Sequence, residues 1–169
     1  DTAFSKEDQF IESIAKKKHI PIKFFDKLIA KKQYKLDNYQ RVIAIIENIP
    51  LKPISSISIE KDPIVLILDH LEDPFNVGAI MRTCEGFGIR SIIIPKNRQA
   101  PINSGVIKAS SGGVYHLNIV QVSNVAQAIQ YCQKIGYWIY AMDSNSGTTL
   151  DSLSISKGSG IVLGNENKG

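Results

Sequence analysis

Cysteine is scarce in this chain: Cys84 and Cys132 are the only two in 169 residues, and they lie far apart. That spacing supplies neither a disulfide framework nor a metal-ligand set. Both fall at apolar helix positions, which predicts buried free thiols and a reducing compartment. The three histidines, His19, His70 and His116, show no ligand spacing, so no metal is expected. No apolar run approaches the roughly 18 residues that span a bilayer, and no signal-peptide layout appears at the start. The expectation is a protein with no membrane partner. There is no GxGxxG fingerprint and no P-loop, which counts against a Rossmann-like enzyme binding a nucleotide. Internal repeats and low-complexity tracts are also missing.

What remains is a chain 43% apolar and 21% charged, with mean hydropathy near zero. Such a composition buries a core in one compact domain, or in a domain with a smaller piece attached. The charge is uneven: residues 1–62 carry +3 of the net +4. Lys16, Lys17 and Lys18 sit there, with Lys31, Lys32 and Lys35. Clustered basic groups favour a polyanion such as RNA, because contact with phosphates releases counterions. A solvated lysine-rich surface is the alternative.

Apolar spacing predicts a helix over Glu7 to Lys17, a short strand over Pro21 to Phe24, and a helix over Lys27 to Lys32 capped by Asp26. Val42 to Ile46 reads as a strand. Prolines and serines then mark residues 49–62 as a linker. From residue 63 the pattern turns regular. Short apolar runs at Ile64–Leu68, Ser91–Ile94, Leu117–Val120, Tyr137–Met142 and Gly160–Leu163 alternate with helical stretches. Continuous apolar strands separated by helices indicate an α/β domain: a mostly parallel sheet with helices on both faces.

Two stretches stand out. Asn76-Val77-Gly78-Ala79-Ile80-Met81-Arg82-Thr83, running on to Phe87-Gly88, follows the first of those strands. Asn76 is a candidate helix cap, Val77 to Phe87 supply an apolar stripe, and Arg82 is expected to be buried near the carboxyl end of the sheet, where open α/β folds bind ligands. An ordinary helix start explains the same residues without a ligand. The second stretch, Gly164-Asn165-Glu166-Asn167-Lys168-Gly169, follows the last strand. Its glycines would let backbone approach a ligand closely, and a plain surface turn is the alternative.

Taken together, the two stretches resemble the motifs of the SpoU (TrmH) family of RNA ribose 2′-O-methyltransferases in the SPOUT superfamily. Asn76, Gly78, Ala79, Arg82, Thr83, Phe87 and Gly88 match the first motif, and Leu163, Gly164, Glu166 and Gly169 match the second. Pro95–Arg98, Lys108–Gly112 and Val122–Ala126 look like the branch that methylates a guanosine of large-subunit ribosomal RNA. Residues 1–48 resemble, more loosely, part of that branch's small RNA-binding domain, which is similar to ribosomal protein L30e. Arg41 stands there in place of a glycine.

The resemblance implies S-adenosylmethionine as cofactor, a C-terminal trefoil knot, large-subunit rRNA as partner, and a homodimer formed through the methyltransferase domain of residues 63–169. It implies Arg82, Asn76 and Glu166 as catalytic residues. Ala141, Met142, Leu163, Gly164, Asn165, Glu166 and Gly169 would line the cofactor pocket. Arg98, Lys108, Lys16, Lys17 and Lys18 would meet RNA. Arg82 as a surface ion-pair residue, Glu166 as an exposed loop carboxylate, and Arg98 and Lys108 as solvated charges stay open as alternatives. So do an inactive RNA-binding or ribosome-assembly module of the same fold and a tRNA 2′-O-methyltransferase. A cytoplasmic location is expected, with a mitochondrial or other organelle matrix as the alternative. The second motif runs into the last residue, so these 169 residues are expected to be part of a methyltransferase, with the knot incomplete and weak or no cofactor binding on their own.

Overall fold

The structure is a computed structural model, and it describes residues 5–34 and 42–165. The chain divides into two compact units, Asp1–Glu47 and Asn48–Gly169.

The first unit opens with α1 (Lys6–Lys17). Ser5 and Asp8 close a reciprocal capping box: the Ser5 hydroxyl accepts from the Asp8 amide and the Asp8 carboxylate accepts from the Ser5 amide. Acidic Glu7 and Asp8 sit in its first turn, and basic Lys16 and Lys17 in its last, each sign where the helix dipole favours it. Asp26 caps α2 (Lys27–Tyr34) by accepting from the Leu28 amide at 2.8 Å. The strands expected at Pro21–Phe24 and Val42–Ile46 do not form. A strand needs a partner's backbone, and strand-like composition in one run does not supply one. Phe24 and Ile45 stand 69% and 74% exposed. Tyr39, Gln40 and Arg41 fall outside the described residues.

The second unit is built on six strands: β1 (Leu51–Lys52), β2 (Ile64–Leu68), β3 (Ser91–Pro95), β4 (Asn118–Val122), β5 (Trp138–Ala141) and β6 (Ser159–Leu163). They lie in the order β1-β4-β3-β2-β6-β5, and every neighbouring pair is parallel. Between them run α3 (Pro74–Gly86), α4 (Ser104–Ala109) and α5 (Val125–Lys134), with a 3₁₀ turn at Gly113–His116. Side chains alternate across a strand, so each central strand serves two cores. Leu66, Leu68, Ile92, Ile94 and Ile119 pack with Val77, Met81, Cys84, Val106 and Val114 from α3, α4 and the 3₁₀ turn. On the opposite face Val65, Ile67, Ile93 and Val120 pack with Ala128 and Cys132 of α5. Burial on both faces is why these strands read as unbroken apolar runs.

Residues 49–62, expected as a linker, belong to the sheet unit. Leu51 and Lys52 form the edge strand against β4, Ile57 is buried in the second core, and Asp62 is 4% exposed. Asp62 sits in a polar cluster at the amino end of the strands. Its carboxylate accepts from the Ser91 hydroxyl at 2.6 Å, Ser91 Oγ accepts from Asn118 Nδ2 at 2.8 Å, and the Tyr137 hydroxyl donates to the Asp62 carbonyl. Turn-rich composition marked the stretch as irregular, which it mostly is. Irregular backbone is nonetheless tied down when buried polar groups must find partners.

Three details of α3 depart from expectation. Its cap is Asp73, whose side chain accepts from the Phe75 amide at 2.8 Å, with Pro74 as the first helical residue; Asn76 lies inside the first turn. Pro74 accounts for the shift, since its fixed φ and missing donor suit that first position. Phe87, expected on the buried stripe, is the terminal cap and is 82% exposed. Arg82, expected to be buried, is exposed. The helix ends in a Schellman motif, with Gly88 at φ +74° and the Ile89 amide bonded to the Cys84 carbonyl at 2.8 Å. Both cysteines are buried free thiols, as expected, and burial pushes each thiol up to about 11. No helix among the described residues is long and apolar enough to cross a membrane, and no cluster of His, Cys, Asp or Glu among them could hold a metal ion.

Candidate functional site

Parallel strands deliver all their outgoing loops to one end of a sheet, and the β2, β5 and β6 loops emerge there side by side. Ala141 pairs with Val162, and Leu68 with Leu163. Two further bonds carry the pairing past the strands: the Asp69 amide donates to the Leu163 carbonyl at 2.8 Å, and the Met142 amide to the Val162 carbonyl at 3.0 Å. Asn165 then clasps the loop after β6 to the loop after β2, its Nδ2 donating to the His70 carbonyl at 3.0 Å. His70 takes a left-handed φ of +58°, and its Nδ1 lies 2.6 Å from Asp69 Oδ1. The arrangement thus gathers Ala141, Met142, Leu163, Gly164 and Asn165 at one place. Ala141 and Met142 are exposed, and Leu163 to Asn165 are half-buried. Asn76 lies half-buried in the first turn of α3, the helix that leaves β2 at this same end. Glu166 and Gly169 lie outside the described residues.

Arg82 is elsewhere. It follows the first helical residue by eight positions, about 12 Å along the axis at 1.5 Å per residue. There α3 meets α4 and the 3₁₀ turn, and the contact is close because two glycines permit it. A Cβ on Gly78 would stand 2.4 Å from Ala109 Cβ and 2.9 Å from the Val106 carbonyl oxygen, and one on Gly113 would reach 3.4 Å from Arg82 Cα. The result is an open concavity lined by Arg82, Glu85, Ser110, Ser111, Gly112, Gly113, Tyr115 and His116. None of the strand-end residues lines it. Among the described residues Arg82 makes no ion pair.

The remaining candidates are exposed. Arg98 occupies the turn after β3 with φ +52°, and Lys108 the last turn of α4. Lys16, Lys17 and Lys18 are exposed on the first unit, with Lys16 Nζ 2.7 Å from Glu12 Oε1. The structure adds His70 to the strand-end cluster and Tyr115 and His116 to the Arg82 concavity. Nothing in local sequence marks these three, because each owes its place to a turn. Asp73 was legible: an Asp-Pro pair just before a helical run is a start signal.

Comparison with known proteins is consistent with this geometry. A TrmH family protein of Staphylococcus epidermidis, which carries the name tRNA/rRNA methyltransferase, is 38% identical over 105 residues, covering 62% of this chain and 42% of its own. Its counterpart in Staphylococcus saprophyticus is 39% identical over the same length. This chain therefore spans about two fifths of the curated relatives it matches. Among solved structures, the rRNA methyltransferase of Sinorhizobium meliloti with AdoMet bound superposes with a TM-score of 0.75 over 85% of this chain and 55% of that one. At 24% identity the likeness is one of fold. A TrmH family structure from Porphyromonas gingivalis is 27% identical, with a TM-score of 0.55 over 64% of this chain and 44% of that one. Residues 63–169, which contain β2 to β6, Arg82 and the strand-end cluster, match the SpoU rRNA Methylase family, and the chain belongs to it.

Proposed function

We propose that this chain is part of an S-adenosylmethionine-dependent RNA methyltransferase that modifies a ribose 2′-hydroxyl, with a guanosine of large-subunit rRNA as the target. The observation that carries the reading is Arg82: an exposed guanidinium without an ion pair among the described residues, facing an open concavity. A ribose hydroxyl is a poor nucleophile, and its attack builds negative charge on oxygen. A fixed cation that holds the neighbouring phosphate and that oxygen in line lowers the barrier by orientation and charge stabilisation. Arginine suits this work because it stays protonated and grips phosphate through two donors.

The strand-end cluster fits an adenosyl group. Small Ala141, the glycine at 164 and the exposed thioether of Met142 leave the ends of two paired strands open to a flat apolar ring, and the Asn165 clasp holds the loop in place. S-adenosylmethionine would supply an activated methyl group there. Asn76 and Glu166 complete the proposed catalytic set, and Gly169 the proposed cofactor set. Arg98 and Lys108 are proposed phosphate contacts, as are Lys16, Lys17 and Lys18 on a first unit that serves as a partial RNA-binding domain. Because Arg82 and the strand-end cluster occupy different places in one chain, pairing of two copies through the methyltransferase domain is the proposed assembly. The bacterial relatives support a cytoplasmic setting.

Transfer of labelled methyl from S-adenosylmethionine to rRNA and tRNA transcripts by the full-length protein tests this reading. Arg82→Ala should slow transfer to the preferred rRNA by about 10²–10³-fold, the range for removing one charge-stabilising donor. A wild-type rate in that variant would remove Arg82 from the chemistry. A full-length protein that binds RNA but transfers nothing would be a binding module. Preference for tRNA would move the substrate.

A further inference from the structure

We propose that Tyr115 is a stacking platform for a base of the RNA segment that enters the Arg82 concavity; the inference rests on the RNA-methylating reading of that site. Tyr115 is exposed, at 51%, directly after buried Gly113 and Val114, and Val114 is 0% exposed and sits in the core. Its backbone is fixed by a bond from the Tyr115 amide to the Gly112 carbonyl at 3.0 Å. Gly112 holds φ +83°, and a Cβ there would stand 4.0 Å from Tyr115 Cδ2. The turn that carries the ring lies close over α3 at Arg82 itself: a Cβ added to Gly113 would stand 3.4 Å from Arg82 Cα. A fixed turn therefore presents an exposed aromatic residue in the lining of the same concavity as the proposed catalytic Arg82.

The charges in the lining favour a base over a bare anion. Arg82 is the one fixed cation and Glu85 the one acid, with His116 as the other titratable group beside Tyr115. One positive charge against one negative does not make an anion hole. A nucleotide, however, offers a π face to Tyr115, hydroxyl and ring edges to Ser111 and His116, and a single phosphate to Arg82. Stacking on aromatic rings is the usual way proteins hold unpaired bases, and it tolerates any base. Tyr115 is thus a positioning residue: it sets where the strand lies, and Arg82 acts on the ribose so placed.

Steady-state methyl transfer by the full-length protein to an rRNA fragment reads the effect. Tyr115→Ala should raise the KM for RNA about 5- to 150-fold, the range for stacking on one aromatic side chain. The Kd for S-adenosylmethionine and the melting temperature should stay at wild-type values. Tyr115→Phe should keep the wild-type KM, because the ring face is retained. An unchanged KM in Tyr115→Ala overturns the proposal, and so does a Tyr115→Phe variant as impaired as Tyr115→Ala. If the wild-type protein transfers no methyl group, the methylation reading fails by itself. Filter binding of the same fragment then decides the platform, since Tyr115→Ala must still weaken RNA binding by that factor.

Discussion

Substituting Gly78 by alanine adds one methyl group where two helices touch. The new Cβ would stand 2.4 Å from Ala109 Cβ, 2.9 Å from the Val106 oxygen and 3.0 Å from the Ser110 nitrogen. Two of those three atoms are backbone, so no rotamer change relieves the clash, and α4 must move away from α3. Overpacking costs about 1–3 kcal/mol, and a clash against fixed backbone belongs in the upper part of that range, about 2–3 kcal/mol. The gain in helix propensity from Gly to Ala, at most about 1 kcal/mol, offsets part of it. At 2–4 °C per kcal/mol for a chain this long, the melting temperature should fall by about 2–8 °C. Gly86→Ala is the internal control. It lies in the same helix, nothing stands within 4 Å of its added Cβ, and it should leave the melting temperature unchanged or raise it slightly. Calorimetry on both variants measures the difference. Gly78→Ala melting at or above the parent would refute the reasoning, since helices with room for a methyl group do not need glycine at their contact.

Two other perturbations reach different parts of the unit. Asp62→Ala strips the acceptor from the fully buried Ser91 hydroxyl and should cost about 1–3 kcal/mol by denaturant titration, whereas Asp62→Asn, which keeps an oxygen there, should cost less. For Cys84 and Cys132, burial raises both thiols from 9.0 to about 11. The unfolded thiols ionise first, so their contribution is intact below pH 9 and is lost as pH rises from about 9 to 11. Replacing both with alanine should flatten the stability loss over that window, and a thiol reagent at pH 8 should label neither cysteine in the folded protein.

The sheet was legible because its strands are buried on both sides, and such burial leaves an apolar run in Ile64–Leu68 or Ser91–Ile94 that needs no alternation to be seen. The ends of α3 and α5 were legible through Gly88 and Gly136, whose positive φ few other residues tolerate. The misreadings share a cause. Val42–Ile46 has strand-like composition, yet a strand is a property of two segments, and composition describes one. Residues 49–62 looked like a linker because prolines and serines report local irregularity and say nothing of burial. Arg82 was identified by its motif but misplaced in depth, since helical spacing fixes a face only when the neighbouring elements are known. Tyr115 and His116 entered the concavity through the turn at Gly112, which links residues by shape alone.

The middle of the sheet has a consequence for how the protein comes into being. β2 pairs with β6, joining Ile64 to Ser159 across 95 positions of chain. Contacts so remote in sequence are entropically late to form. During synthesis, at roughly 5–20 residues per second, β2 waits roughly 5–20 s for its partner to emerge. Through that interval one edge of a central, buried strand is unpaired, and the loops that become neighbours at Asn165 and His70 have not yet met. The strand-end cluster is therefore the last part of the described chain to be assembled, and a nascent protein halted before β6 presents the Arg82 face without it.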